Sequence, residues 1–425
     1  IKNFKYEDAI SYYKKWYQPE RMGLFVIGEI QSEEIKNLIQ KYFGGFKNTE
    51  KTTDPYYKVP DFNENLFFSY QDPLEENIRF SIWNKDDFKK VNTIENYQHA
   101  IVGVLAQNIY YRRIQELNEL NQSAFRNSFI YEDQISDLDM YYLFSVILKQ
   151  NSILQGIEDA LTVVEQIKQY GFLKSEFDLA KKRHLDRLYQ ALTEENTRSS
   201  EDFIDEYIYH FIYDEMITGL AKEIEYTEDI YSSISVEDLN NYFKNYLSSN
   251  NRLISISAPD FITDLPTEAD IDKLFKTVSQ KNIKPYKFEL KNTELIKKDL
   301  SGSKIVKKKR FPRSNIIKLT LENGADIYLK KTDFQKDEIL LKAFSWGGYS
   351  TANIEKIASA KYAEDILNYA DLGEMSVNEK ENLFQENFVD VFPMISESGE
   401  GVTGKSNNKN LENMFKMLYL NFTDL

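Results

Sequence analysis

The sequence predicts an α+β protein built from repeated domains, and three observations carry that expectation. Strand-length and helix-length apolar segments are mixed along the chain without a steady strand–helix–strand beat, which disfavours a doubly wound parallel sheet. One helix–turn–strand block occurs twice, about 230 residues apart. The 425 residues, 42% hydrophobic and 14% aromatic, supply material for more than one core, since a domain takes roughly 150 residues.

The first segment reads helix, strand, helix. Glu7 to Tyr17 is helical in composition and stops at Pro19. Met22 to Ile27 is an apolar run of strand length closed by Gly28. Ser32 is expected to cap a helix with Ile35, Leu38, Ile39 and Tyr42 on one face and Gly44-Gly45 as its stop. A polar connection from Lys47 to Lys58 marks a domain boundary, so residues 1–50 read as the tail of one domain and 59–280 as the next.

Within the second domain, Ile78 to Trp83 alternates with period two, as a half-buried strand does. A long helix is expected from about Thr93 to Leu117, then strands at Ala124 to Tyr131 and Met140 to Leu148. Ser152 to Tyr170 is amphipathic through Ile153, Ile157, Leu161, Val164 and Ile167, with Ser152 as N-cap and Gly171 just past the end. Ser175, with Asp178 three residues on, opens another helix as an approximate capping box. Helices around Ser200 to Thr218, Glu228 to Ser233 and Val236 to Tyr246, then a strand at Arg252 to Ser257, complete the domain.

From Lys284 to Arg313 eleven Lys and Arg stand against three acids. A nucleic-acid patch and a solvated connection both fit such a run; the acidity of the rest of the chain favours a basic interdomain linker over 281–314. Residues 315–425 then read as the N-terminal part of a third domain. Ile316 to Leu321 and Ala325 to Leu329 are joined by Asn323-Gly324, a strong hairpin signal. A strand over Glu338 to Trp346 ends at Gly347-Gly348, and a helix covers Ala358 to Tyr369.

The repeat pairs Tyr6-Glu7-Asp8-Ala9 through Tyr12 to Tyr17 with Val236-Glu237-Asp238-Leu239 through Tyr242 to Leu247. Both copies pass through a polar turn into an apolar strand, Leu24 to Ile27 and Leu253 to Ile256. Each copy would close one domain.

Composition removes several functions. A net charge of −15 repels nucleic acid and anionic membrane over most of the surface. Without a cysteine there is no disulfide, thiolate zinc site or cysteine nucleophile. The most apolar stretch, Ala100 to Ala106, is far below the roughly 18 residues of a membrane helix. The chain opens on Ile1-Lys2-Asn3 without Met or signal peptide and ends on an apolar run, so both ends read as cuts in a longer protein.

The segment Tyr12 to Met22 with Val26-Ile27-Gly28-Glu29-Ile30 resembles the helix-to-strand signature late in the first domain of the pitrilysin/insulinase family of zinc peptidases. Tyr170-Gly171-Phe172 through Glu176, then Ala180-Lys181-Lys182, is similar to the helix pair of that family's second domain. Leu321 to Gly324, Lys330 to Phe334 and Ser345 to Gly348 look like the start of its third, particularly in large bacterial members with four domains on one chain. The resemblance implies domains of LuxS/processing-peptidase-like fold, with antiparallel or mixed sheets packed by helices, two halves closing around a peptide-sized chamber. It implies a His-x-x-Glu-His zinc helix lying before Ile1, so that the parent is a zinc-dependent metalloendopeptidase, periplasmic or alternatively cytoplasmic. Its partners would be peptide substrates and the missing first and fourth domains, with no nucleic acid and no membrane insertion.

Inside the chain no catalytic and no metal-ligating set emerges, and substrate-binding residues stay unassigned. The three His are His99, beside an apolar helix; His184, beside Lys181, Lys182 and Arg183; and His210, four residues after Glu206. Glu206 and His210 could share a helix face, a pattern more often a surface hydrogen bond than a zinc site. If Ala360 to Asp365 aligns with the zinc helix, Lys361 and Asp365 take the His positions and Glu364 that of the catalytic Glu, and a protonated lysine cannot bind zinc. This chain is therefore expected to be inactive and zinc-free by itself, supplying wall and linker. A non-catalytic scaffold homologous to these peptidases is the alternative reading, and a binding module using the basic linker a weaker one.

Overall fold

A computed structural model describes residues 4–48, 57–62, 64–195, 198–247, 251–287, 295–296, 300–377, 379–380 and 389–424. Most of the Lys47–Lys58 connection, residues 288–294 and 297–299 of the basic stretch, and Leu425 lie outside them. The chain divides into two compact units, Ile1–Leu185 with Arg198–Tyr286, and Asp186–Thr197 with Lys287–Leu425.

The first unit opens with helices α1 (Tyr6–Trp16) and α2 (Ser32–Phe43), neither of which buries a residue. Met22 to Ile27, expected as a strand, pairs with none of the described strands. An apolar run becomes a strand only where a neighbour satisfies its backbone, and here none does.

Next come β1 (Leu66–Gln71), β2 (Ile78–Asp87), α3 (Ile94–Glu119), β3 (Phe125–Gln134), β4 (Asp139–Leu148), α4 (Ile153–Tyr170), α5 (Lys174–Glu194), α6 (Glu201–Tyr213), α7 (Leu220–Ser233), α8 (Val236–Phe243), β5 (Arg252–Ala258) and α9 (Glu268–Ser279). The strands form one mixed sheet in the order β1-β5-β2-β4-β3, with only β1 and β5 parallel. This is the mixed α+β architecture the sequence predicts. One face of the sheet, through Phe80, Ile82, Ile130, Phe144, Val146, Ile254 and Ile256, packs against Leu105 and Ile109 of α3, Ile157 and Val164 of α4 and Leu239 and Phe243 of α8.

The expected caps are met in part. Gly171 ends α4 with φ +74°, whereas Ser32 is the first residue of α2 and Gln31 takes the N-cap position. Thr93, a cap the sequence did not suggest, accepts a hydrogen bond from Asn96 N at the start of α3 (3.2 Å). Ser152 instead donates to Ala124 O (2.9 Å). At α5, Asp178 is held by Lys174 (2.5 Å), and Glu176 accepts from Leu173 N (2.9 Å) in place of the expected Ser175–Asp178 box. The two copies of the repeat use the same aspartate in the same way: Asp8 accepts from Lys5 N (3.2 Å) and Asp238 from Ser235 N (2.7 Å).

The second unit holds β6 (Ile305–Phe311), β7 (Ile316–Leu321), β8 (Asp326–Lys330), β9 (Ile339–Trp346), α10 (Ile357–Asn368), β10 (Asp390–Ile395), β11 (Gly399–Ser406) and α11 (Leu411–Thr423). β6, β7 and β8 form one antiparallel sheet, and β10, β11 and β9 another, the latter packed on Met414, Met417 and Leu420 of α11. β6 lies inside the stretch read as linker. It is an edge strand whose lysines keep that edge solvated while its backbone pairs with β7. The Asn323-Gly324 turn closes β7–β8 as expected, with Gly324 at φ +89°.

Candidate functional site

The first sheet has a second face that contributes nothing to the helix-backed core. Because side chains alternate along a strand, the register fixes which residues share it. One row runs Phe68, Ser255, Ser81, Ser145, Phe129; the next runs Leu66, Leu253, Trp83, Leu143, Tyr131. Trp83 donates from Nε1 to Ser255 Oγ (3.0 Å), and Ser81 and Ser145 hydroxyls bond each other (3.0 Å). Trp83 meets Tyr141 at 4.9 Å between centroids, Tyr131 meets Tyr141 at 6.2 Å, and Phe129 stacks on Tyr131 at 5.9 Å. Arg79 lies over the Phe129 ring (5.8 Å). At the edge Phe68 is 57% exposed. This is a partly exposed aromatic face over buried, mutually bonded serines, able to offer apolar contact to a bound chain. The three imidazoles bond tyrosine hydroxyls and a backbone carbonyl: His99 bonds Tyr142, His184 Tyr231 and His210 the Glu215 carbonyl.

Each weighed histidine is occupied elsewhere. His99 Nε2 meets Tyr142 Oη (3.3 Å), and its ring packs edge-on against Tyr242. Burial holds its pKa below the usual imidazole value, helped by the Lys89 charge. His184 Nδ1 bonds Tyr231 Oη. His210 Nδ1 bonds the Glu215 carbonyl (2.6 Å), with no bond to Glu206. In the second unit the Glu364 carboxylate accepts from Ile395 N (2.7 Å), pinning α10 to the end of β10, and Lys361 lies over the Tyr349 ring (5.3 Å). Among the described residues no group of three or more His, Asp or Glu is placed to hold a metal ion, and no helix is long and apolar enough to cross a membrane.

Sequence reasoning missed a tyrosine cluster beneath a cavity of about 550 Å³ at the end of this sheet. Tyr242 donates to Glu132 Oε2 (2.9 Å) and lies 3.3 Å from Tyr246 Oη, which accepts from Gln107 (3.4 Å). Gly103 in α3 makes room: a Cβ there would fall 2.5 Å from the Tyr242 hydroxyl. Burial pushes the Glu132 carboxyl up and the Tyr242 hydroxyl far up, so Tyr242 keeps its proton and donates it in a hydrogen bond to the Glu132 carboxylate. Glu132, His99 and Glu215 line the cavity. The available signal was the aromatic spacing of the repeat, where Tyr242 and Tyr246 sit four apart on one helical side.

Residues 3–183 match the family described as Peptidase M16 inactive domain. The chain is 20% identical to a probable zinc protease PqqL of Haemophilus influenzae over 99% of its own length and 46% of the relative's. Its fold is similar to that of the periplasmic protease PqqL from Escherichia coli (TM-score 0.61, 17% identity, 99% of this chain and 47% of the other). It is also similar to the ferredoxin protease FusC, solved in complex with Arabidopsis ferredoxin (TM-score 0.59, 18% identity, 97% of this chain and 46% of the other). The chain thus spans less than half the length of the relatives it matches.

Proposed function

We propose, from the match of residues 3–183 to the M16 inactive domain, that this chain is of the pitrilysin/insulinase type and forms non-catalytic wall and linker of a zinc-dependent endopeptidase. The observation that carries this reading is the aromatic sheet face outside the helix-backed core, on which Trp83, Phe129 and Tyr131 are only partly buried and Phe68 is exposed. A free-standing α+β domain buries such a face, whereas a chamber wall presents it to an unfolded peptide. Trp83, Phe129 and Tyr131 would supply apolar contact and the half-buried Ser255 a hydroxyl, while Ser81 and Ser145 are buried and bond each other. Zinc and the water-activating glutamate would come from a His-x-x-Glu-His domain elsewhere in the parent protein. Similarity to a probable zinc protease and to a periplasmic protease supports peptide hydrolysis and a periplasmic location.

The test is reconstitution. The purified chain should retain no stoichiometric zinc after chelation and reloading, and should cleave no quenched fluorescent peptide. The longer gene product carrying the zinc domain should cleave it, and Trp83→Ser in that product should raise KM with little change in kcat. Zinc retention or hydrolysis by the chain alone would overturn the non-catalytic assignment. An inactive longer product would instead favour the scaffold reading.

A further inference from the structure

The cavity at the end of the first sheet is chemically unlike the sheet face. Its outer wall is aromatic: Phe88 and Tyr213 meet edge to face at 6.2 Å, and Tyr209 stacks on Tyr213 at 5.9 Å. Two carboxylates line it as well, Glu132 and Glu215. Among the described residues neither is paired with a cation. Glu132 Oε2 accepts the Tyr242 hydroxyl, while its Oε1 and the whole Glu215 carboxylate have no hydrogen-bond partner. Burial raises the pKa of both. Withdrawing carboxylates from water without a counter-charge costs free energy, which an entering cation offsets.

The other charged groups at the cavity do not fill that role. Lys89 is exposed at the rim and acts on Glu132 only through space. Asp133 and Asp137 add negative charge, and His99 is held toward its neutral form. Aromatic walls attract cations through the negative faces of their rings. The Glu132 carboxylate is set in place beforehand by Tyr242 and Tyr246, which fit because position 103 is glycine. About 550 Å³ exceeds what a bare ammonium group fills, leaving space for an aliphatic stem and adjoining residues.

From this geometry we propose that the cavity is a binding pocket for a basic peptide side chain, lysine or arginine, with Glu132 and Glu215 as counter-ions and Phe88, Tyr209 and Tyr213 as ring walls. The pocket does not depend on the peptidase reading, since it is defined by side chains of this chain alone and its test reads binding rather than hydrolysis.

The test is fluorescence anisotropy of the 425-residue chain with a labelled alanine hexapeptide carrying one central lysine, and with the same peptide carrying norleucine. The lysine peptide should bind about tenfold more tightly, the effect of one partly desolvated ion pair, and an arginine peptide should behave like it. Glu215→Gln, which touches no part of the tyrosine cluster, should remove most of that preference; Glu132→Gln should do the same, and Lys89→Gln should strengthen it. Equal binding of lysine and norleucine peptides, or a preference unchanged in Glu215→Gln with the circular dichroism spectrum intact, would overturn the assignment. Tighter binding of a glutamate peptide would overturn it as well.

Discussion

His99 shows what a single buried group does to the pH response. Its imidazole faces Tyr142 and Tyr242, with the charges of Lys89 and Asp86 acting on it, and burial is the main cause of its lowered pKa. Above its ordinary value, near 6.5, it is neutral folded or unfolded and contributes no pH dependence. As pH falls through the depressed folded value, the unfolded state takes up the proton first, and stability is lost. Glu132 has the opposite sign: its raised folded pKa costs stability only as pH climbs above the ordinary carboxylate range. His99→Gln should therefore flatten the fall in Tm between pH 7 and pH 5, by roughly 2–4 °C for each kcal/mol of acid penalty removed. Identical slopes in the two proteins would place the acid sensitivity elsewhere. His99 was recognised in the sequence as structural because it adjoins an apolar helix; its tyrosine partners could not be read there, since β4 and α8 supply them from far along the chain.

At the scale of elements, one ion pair ties helix to helix. Glu176 at the start of α5 is fully buried and receives Arg113 at both oxygens (2.5 and 2.9 Å) and Arg112 (2.8 Å), all from α3. Arg113 also lies 4.1 Å from the Tyr286 ring centre. Removing one partner strands a buried charge, so Glu176→Ala should destabilise by about 3–5 kcal/mol, measurable by urea unfolding. Arg113→Met with Glu176→Met should cost distinctly less; an equal or larger loss in the double variant would show that packing, rather than the stranded charge, dominates. Legibility followed the same physics. A helix with a periodic apolar face, such as α4, and strands with clean alternation, such as β2, were visible because burial is written into their spacing, whereas α3 was visible through its length and apolar content. β6 was hidden because its residues are charged and only its backbone is committed to the sheet. β11 was not assigned because Gly399, Gly401 and Gly404 break its apolar alternation, whereas in the sheet the Phe344 ring lies where a Cβ of Gly399 would be. The aromatic face of the first sheet, meanwhile, was already spelled out in β2 as Arg79, Ser81 and Trp83, but nothing in one strand says which face the helices pack on.

For the whole molecule, the two units have separate apolar cores, one built around Phe80, Leu105 and Phe144, the other around Val391, Met414 and Met417. Cores that share no residues melt independently unless an interface couples them. Scanning calorimetry should resolve two transitions, with the second unit, whose core is smaller among the described residues, unfolding first. Val391→Ala should lower only the earlier transition and Phe144→Leu only the later one. One indivisible transition, moved as a whole by either substitution, would show that the units unfold together.

The strand order β1-β5-β2 sets a schedule as well as a shape. β5 lies between its neighbours, pairing Leu66 with Leu253 on one side and Phe80 with Ile256 on the other, yet of the five strands it is the last to be synthesised. Until Arg252 to Ala258 leaves the ribosome, β1 has no partner and β2 offers a bare apolar edge to anything nearby. The contacts that complete this sheet are of high contact order, so it closes slowly and late. A nascent chain stalled before Arg252 is thus the form of this protein most exposed to aggregation, and the one with most need of a chaperone.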